Sequence, residues 1–396
     1  MSQVLRNTDF ASLVLRISSD IVEIYHHPMI SNEQELKGLR DQIDKLDREL
    51  LDLLNRRGRI ALDIAACKGD HVSNDGDCYY YRPAREAEIL RGLLAINEGP
   101  LSSSDVAKLF QEIMSACRAL QKTLSIAFLG PQGTFTEAAA FRHFGQFVKT
   151  VPFDAIDTVF REVESGNCNY GVVPVENSSE GVVNHTLDIF VRSPLLICGE
   201  VMLRIHHHLL ALSSENFDIG HVKKIYSHQQ SLAQCRKWLD LHLPTADRIA
   251  VASNAEGARR ASLESEAATI AGSIAAEIYG LRMLASNIED EPNNTTRFLV
   301  ISSQKVPRTG KDKTSLLLSA KDRPGTLFSL IEPLAKRKIS MTRIESRPAR
   351  SGLWEYVFFV DIEGHEQDPN IAEALREIEQ NTILFKILGS YPRALI

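Results

Sequence analysis

The 396-residue chain is too long for one ordinary domain and, at roughly 100–200 residues per domain, holds two to four. A 44% hydrophobic content is that of a globular protein, and a net charge of −6 with scattered basic residues argues against nucleic acid as the main partner. Six widely spaced cysteines (67, 78, 117, 168, 198, 235) with no CxxC point to reduced thiols in a cytoplasm.

No segment reaches the ~20 continuous apolar residues of a membrane span. Residues 1–30 carry short apolar pieces interrupted by Arg16, Asp20 and Glu23 and show no leader pattern, so the expectation is an extension, possibly disordered, on a cytoplasmic protein.

From 31 to 122 the pattern is helical. Ser31 and Gln34 are spaced as a capping box. Leu36, Leu39, Ile43, Leu46, Leu50, Leu53, Ile60 and Ile64 then recur in alternating three-four steps, a heptad seam on one helix over 32–68. Such a helix is roughly 55 Å long, too long for its own short partners to cover, which predicts pairing with a second subunit. The seam position at 57 holds Arg57, where a buried guanidinium calls for an anion, either a ligand or a salt-bridge partner. Arg40 and Lys68 lie beside the same seam. The turn-rich stretch 69–81 follows. Pro83 suits the first turn of a second helix ending before Gly99 and Pro100, with Arg85 and Glu86 in that first turn. A third helix over 104–122 is expected to turn Val106, Phe110, Ile113, Cys117 and Leu120 inward, with Gln121 one turn after Cys117.

Three helices enclosing several cations, a carboxylate and an amide suit a small dicarboxylate. The set Arg40, Arg57, Lys68, Arg85, Glu86, Cys117 and Gln121 resembles the all-helical chorismate mutases. That resemblance implies that two arginines bind the substrate carboxylates, that Lys68 and Gln121 meet the breaking ether oxygen, and that Glu86 binds the substrate hydroxyl. It also implies an intertwined dimer in which Arg40 comes from the other subunit. Arg82, where some relatives have aspartate, and Cys117, where many have serine, complete the binding set.

From 123 to 303 strands alternate with helices, which predicts an α/β fold with ligand groups at strand ends. An apolar strand at 125–129 runs into Gly130-Pro131-Gln132-Gly133-Thr134, where Thr134 and Glu137 have capping-box spacing. This turn is either a structural β-to-α connection or an anion site built from backbone N–H groups. A strand at 170–175, broken at Pro174, leads to Glu176-Asn177-Ser178-Ser179-Glu180-Gly181. Three consecutive histidines, His206, His207 and His208, would alternate faces in a strand, so no metal is expected. Ser227 closes a further strand, and Gln234 lies on the helix after it. Asn293-Asn294-Thr295-Thr296-Arg297-Phe298 reads by itself as a polar turn entering a strand.

Together GPQGTF at 130–135, GVVPVENSSEG at 171–181, YSHQQSLAQC at 226–235 and NNTTRF at 293–298 resemble the prephenate dehydratases. The resemblance implies two lobes like those of periplasmic binding proteins with the substrate between them. It makes Thr296 the essential hydroxyl, with Thr134, Asn177, Ser178, Ser227, Gln234 and Arg297 lining or supporting the site, and implies no cofactor.

From 313 to 396 the order β-α-β-β-α-β is the ferredoxin-like split motif. Arg323-Pro324-Gly325-Thr326-Leu327 and Glu345-Ser346-Arg347-Pro348 resemble the phenylalanine-sensing motifs of the ACT regulatory domain, which implies L-phenylalanine as an allosteric inhibitor. In all, the region from about residue 33 onward resembles the bifunctional chorismate mutase–prephenate dehydratases. A transcription regulator lacks its helix-turn-helix here, and a dehydrogenase fusion lacks its GxGxxG.

Overall fold

The computed structural model describes residues 32–69, 80–212, 218–320, 323–348 and 356–394. The expected N-terminal extension, the capping residue Ser31, the turn-rich stretch before residue 80 and the start of the strand expected at Trp354 lie outside the described residues. The chain divides into two units, Met1–Asp63 and Ile64–Ile396.

The first unit is seen as helix α1 (Asn32–Gly69), whose last turn belongs to the second. Glu33 and Glu35 in its opening turn favour the helix dipole. Leu39, Ile43, Leu46, Leu50, Leu53 and Ile60 are each more than half exposed, so the seam is present and is left uncovered by the described residues.

The second unit begins with α2 (Pro83–Ala95), opened by Pro83, and α3 (Ser103–Gln121), capped by the Ser102 side chain on the Asp105 amide. The expected inner stripe of α3 is corrected in part: Cys117 is buried as expected and Val106, Phe110 and Ile113 are half-buried, but Leu120 is 55% exposed, and Ala107, Met114, Ser115 and Arg118 are buried as well. That face is held against the α/β region, where Arg118 donates to the carbonyl of Phe144 and Gln111 to that of Arg142. Packing on a neighbouring domain, which helical periodicity does not encode, decides which stripe is buried.

A first lobe follows: β1 (Ser125–Leu129), α4 (Phe135–Phe144), β2 (Lys149–Phe153), α5 (Ile156–Glu164), β3 (Tyr170–Asn177), β4 (Gly181–Val182), α6 (Asn184–Phe190) and β5 (Leu196–Arg204). The chain then enters a second lobe of β6 (His208–Leu212), β7 (Lys224–His228), α7 (Gln229–Gln234), α8 (Arg236–His242), β8 (Asp247–Val251), α9 (Asn254–Ala261), β9 (Ala267–Ala271), α10 (Ser273–Tyr279) and β10 (Leu281–Ala285). It returns to the first lobe as β11 (Thr295–Ser302). The first sheet runs β2-β1-β3-β11-β5 with β4 beside β3, and the second runs β10-β6-β9-β7-β8. Two crossings, after β5 and before β11, therefore join the lobes.

Pro174 does not break β3, contrary to expectation. Proline lacks a ladder donor, but β1 pairs only as far as Val172, and on the other side a bulge lets Phe298 oppose Pro174 while Arg297 opposes Glu176. The strand thus carries its proline where a missing N–H costs little and delivers Glu176 and Asn177 to the end of the sheet.

The C-terminal module is β12 (Asp312–Ala320), α11 (Thr326–Lys336), β13 (Met341–Pro348), β14 (Tyr356–Glu363), α12 (Pro369–Gln380) and β15 (Leu384–Pro392), in sheet order β13-β14-β12-β15. Period-two alternation splits this sheet into two faces. Leu316, Leu318, Val360 and Ile362 pack with Leu330, Leu334, Ile371 and Leu375 of the two helices. Leu317, Val357, Phe359 and Tyr391 instead join Val173, Leu299 and Phe160 in the core of the first lobe. The approach is close: a Cβ on Gly389 would lie 2.1 Å from the carbonyl oxygen of Ile197.

Candidate active sites and their connection to the C-terminal module

Thr296 and Asn177 are register partners on β11 and β3. The Asn177 amide donates to Thr296 Oγ1 and to Asn294 Oδ1, both at 2.8 Å. Its oxygen accepts from the backbone N–H groups of Ser179 (2.9 Å) and Glu180 (3.1 Å), which fixes the amide orientation. Thr296 Oγ1 therefore acts as an acceptor towards Asn177, and its own proton is given to no described residue. Ser178 Oγ accepts from the Thr295 amide at 2.9 Å and so supports the strand end.

The other lobe reaches this point through Gln234. Its Oε1 meets His207 Nε2 at 2.8 Å and Asn294 Nδ2 at 3.4 Å, while its Nε2 donates to Glu180 at 3.2 Å. Gln230 donates to the second Glu180 oxygen. Glu180, on the first lobe, is thus held across the cleft by two amides of α7, and burial raises its carboxyl pKa above the ordinary value. Burial also pushes His207 down, so a neutral ring meets Gln234. The three histidines diverge: His206 pairs with Glu289 at 2.8 Å, His207 with Gln234, and His208 accepts from the Asn287 amide. Glu180, His207, Glu289 and Asn294 were missed by sequence reasoning. Only the tight spacing of Glu180 after Asn177, and of Asn294 before Thr296, hinted at two of them.

Several expected site residues support the cleft from behind. Ser227 is fully buried and donates to Asn254 Oδ1 (2.9 Å) and the Ile270 carbonyl (2.8 Å). Thr134 does not form the expected capping box; its hydroxyl turns back to the Leu129 carbonyl at 3.1 Å. Glu137 instead accepts from the Gly133 amide at 2.6 Å and from Thr150 at 2.9 Å. A side-chain carboxylate thus already takes the Gly133 amide, which favours the structural reading of the turn.

Arg297 requires a correction as well. Alternation turns it away from Thr296, and it is buried against the C-terminal module. Its guanidinium holds Glu200 at 2.9 Å, Asp361 at 2.5 Å and the Tyr391 hydroxyl at 3.1 Å, with Lys313 on Glu200 at 2.8 Å.

In the helical region, Arg40 lies exposed and Arg57 half-buried on α1, whereas Lys68 falls on α1 with its side chain outside the described residues. Arg82 and Arg85 line a cavity of about 540 Å3 together with Arg308 and Gln304, and Arg85 pairs with Glu88 at 2.5 Å. Glu86 is engaged by the buried Arg118, a partner the sequence pattern did not reveal. Cys117 is buried and Gln121 half-buried on α3.

In the C-terminal module Gly325 has φ +85, a left-handed conformation that favours glycine, at the start of α11. Arg323, Gly325, Thr326 and Leu327 line a cavity of about 240 Å3 with Tyr356 and Phe358. The second expected motif is divided by alternation. Ser346 opposes Phe358 on the cavity side, and Pro348 follows it. Glu345 opposes Phe359, and Arg347 reaches Asp188 and the Asn184 carbonyl, both at 2.6 Å, on the first lobe.

Comparison with known proteins agrees with this architecture. Residues 39–122 match the chorismate mutase type II family, 126–306 the prephenate dehydratase family and 314–380 the ACT domain. A bifunctional chorismate mutase/prephenate dehydratase of Pseudomonas aeruginosa is 51% identical over 93% of this chain and 100% of its own length. One of Neisseria gonorrhoeae is 49% identical over 90% of this chain and 97% of its own. Among solved structures, a prephenate dehydratase of Arthrobacter aurescens in complex with L-Phe is 36% identical, covers 68% of this chain and 90% of its own, and superposes with a TM-score of 0.63. The chain belongs to the bifunctional chorismate mutase/prephenate dehydratase family.

Proposed function

We propose that the helical region rearranges chorismate to prephenate, that the two-lobed region converts prephenate to phenylpyruvate, and that L-phenylalanine bound at the ACT module inhibits the second step. The observation that carries the dehydratase reading is the Thr296 hydroxyl held by Asn177 at 2.8 Å, with its proton uncommitted. Prephenate carries a ring hydroxyl para to a carboxylate. Loss of that hydroxyl as water and of the carboxylate as carbon dioxide leaves an aromatic ring, so the reaction needs neither a strong nucleophile nor an electron acceptor. Threonine is too weak an acid to be the proton source. Its role here is to donate a hydrogen bond that orients the departing oxygen, while a water molecule supplies the proton with which that oxygen leaves as water, and Thr134, Asn177, Ser178, Ser227 and Gln234 bind or brace around it.

In the mutase step two arginines hold the two carboxylates, drawn from the binding set Arg40, Arg57, Arg82 and Arg85, Glu86 takes the ring hydroxyl beside Cys117, and Lys68 and Gln121 donate to the ether oxygen as its bond breaks. Fixed donors aimed where charge develops, and a folded side chain held over the ring, supply the rate. The uncovered apolar seam of α1 supports a homodimer in which Arg40 serves the other subunit's site. The same reading places the enzyme in the cytoplasm, in keeping with its five free described cysteines.

Effector binding by Gly325, Thr326 and Leu327 is supported by the cavity at the start of α11 and by the L-Phe complex of the Arthrobacter relative; Ser346 and Pro348 join them from the same face of β13, while Glu345 and Arg347 would act from the face turned to the first lobe. One experiment tests the whole. The enzyme is given chorismate, and prephenate and phenylpyruvate are followed with and without phenylalanine. Prephenate that accumulates only when phenylalanine is present supports the reading; failure to form phenylpyruvate without it overturns it.

A further inference from the structure

Immediately beside the Thr296–Asn177 pair, the next register pair on the same two strands is Arg297 opposite Glu176. On the ACT sheet, Arg343 likewise lies opposite Asp361 across β13 and β14. Opposed residues share a face, so each sheet presents one cation and one anion side by side to the other sheet. The ion pairs run crosswise between the sheets: Arg297 Nη1 to Asp361 Oδ2 at 2.5 Å, and Arg343 Nε to Glu176 Oε2 at 2.9 Å. Four charges of alternating sign thus close a square between the ACT module and the strand ends that hold the dehydratase hydroxyl.

The square is asymmetric. The Arg297–Asp361 side is buried, with side chains 8% and 7% exposed, and is reinforced by Glu200, Lys313 and Tyr391. The Arg343–Glu176 side is looser: Glu176 is 40% exposed, and Arg343 Nη2 is buried without a hydrogen-bond partner. Arg343 stands on the same strand face as Glu345 and Arg347, two and four residues before them in the effector motif. At the other end Glu176 is joined by one peptide bond to Asn177, which supplies the hydrogen bond to Thr296. A shift of β13 therefore strains the Arg343–Glu176 contact first. Once freed from Arg343, Glu176 is left as a second anion beside Arg297, and Asn177 moves with it.

We propose that this charge square is the connector through which the ACT module sets the position of the Asn177–Thr296 pair, with Glu176 and Arg343 as positioning residues. The proposal rests on the reading that phenylalanine inhibits the dehydratase, and a purely adhesive role for the same ion pairs is the competing account.

The two accounts separate in a double-mutant cycle on the full-length enzyme: wild type, Arg343→Gln, Glu176→Gln and the double variant. Phenylalanine binding is measured by equilibrium dialysis, its inhibition of phenylpyruvate formation by steady-state kinetics, and mutase activity serves as the control for folding. The connector predicts that each single variant still binds phenylalanine but needs about tenfold more of it for half-inhibition. The double variant is then no worse than the more affected single one. Normal inhibition in both singles, additive effects, or loss of phenylalanine binding in step with loss of inhibition overturns the proposal. If the wild-type enzyme itself ignores phenylalanine, the regulatory reading fails. The same cycle in kcat/KM for prephenate then decides the positioning role: non-additive losses support it, and additive losses overturn it.

Discussion

Thr296 and Arg297 are consecutive on β11 and serve opposite sides of the sheet. Thr296 faces Asn177 at the mouth of the cleft, while Arg297 reaches through to Asp361 and Tyr391 of the ACT module. One peptide unit therefore separates the hydroxyl proposed for catalysis from the buried contact that anchors the regulatory module. The pleat of a strand produces this arrangement with no intervening machinery.

Thr296→Val keeps the β-branched shape but leaves the Asn177 amide without its 2.8 Å acceptor and removes the hydroxyl proposed to donate to the substrate oxygen. The loss expected in kcat for phenylpyruvate formation is about a hundred- to a thousandfold, the scale for removing one oriented donor. Mutase turnover should stay at the wild-type level. Near-normal phenylpyruvate formation by this variant would remove Thr296 from the mechanism.

The strand and helix order of the dehydratase region and the β-α-β-β-α-β order of the C-terminal module were legible in the sequence, because apolar runs and turn residues mark local structure. What was not legible depended on partners far along the chain. Residue types alone could not show that Pro174 sits opposite a bulge, or that Glu137 would take the Gly133 amide and leave Thr134 to bond Leu129. Arg297 is assigned to the site by the resemblance of its NNTTRF motif. Its true environment, formed by Glu200, Asp361 and Tyr391, assembles only when the ACT sheet docks. Glu180 was passed over for the same reason, since Gln230 and Gln234 meet it from another lobe.

Arg297→Ala should act mainly on stability. The guanidinium is 8% exposed and paired with two buried carboxylates. Removing it leaves Glu200 with Lys313 alone and strips Asp361 of its cation. A penalty of ~3–5 kcal/mol follows for breaking a buried pair from one side. Chemical denaturation, monitored together with phenylpyruvate formation, checks this. A variant as stable as wild type would show that the ACT module docks without this contact.

His143 gives the enzyme a definable acid weakness. Its Nε2 meets the Tyr81 hydroxyl at 2.8 Å, and burial, aided by the nearby Arg118 charge, lowers its pKa from 6.5 to about 3. The folded protein thus holds the ring neutral. Below pH 6.5 the unfolded chain binds a proton that the folded chain refuses, so this contribution is whole above pH 6.5 and is lost as pH falls towards 3. The slope is at most ~1.4 kcal/mol per pH unit. His143→Gln should be less stable at pH 7 and lose less on acidification. Urea midpoints taken between pH 7 and 4 test it, and curves parallel to wild type would exclude His143 as a source of the acid limb.

The seam of α1 supplies the last test. Leu46 and Leu50 are 61% and 52% exposed, one turn apart on the same helix face. Each is worth ~1.5–3 kcal/mol if a second chain covers it. Arginine at either position puts a charge where the proposed dimer needs an apolar knob. Leu46→Arg should therefore lower the sedimenting mass or weaken association, and mutase activity should fall with it if Arg40 serves the other subunit's site as proposed. The proposed dehydratase residues all lie in the 64–396 unit, so dehydratase turnover should largely persist. The comparison with Arg57→Ala is informative. That change removes the proposed carboxylate partner and places a small apolar side chain at the same seam, so mutase activity should fall while the mass stays that of wild type. If Leu46→Arg retains full mutase activity, the site does not depend on pairing through α1, and the assignment of Arg40 to the other subunit fails with it.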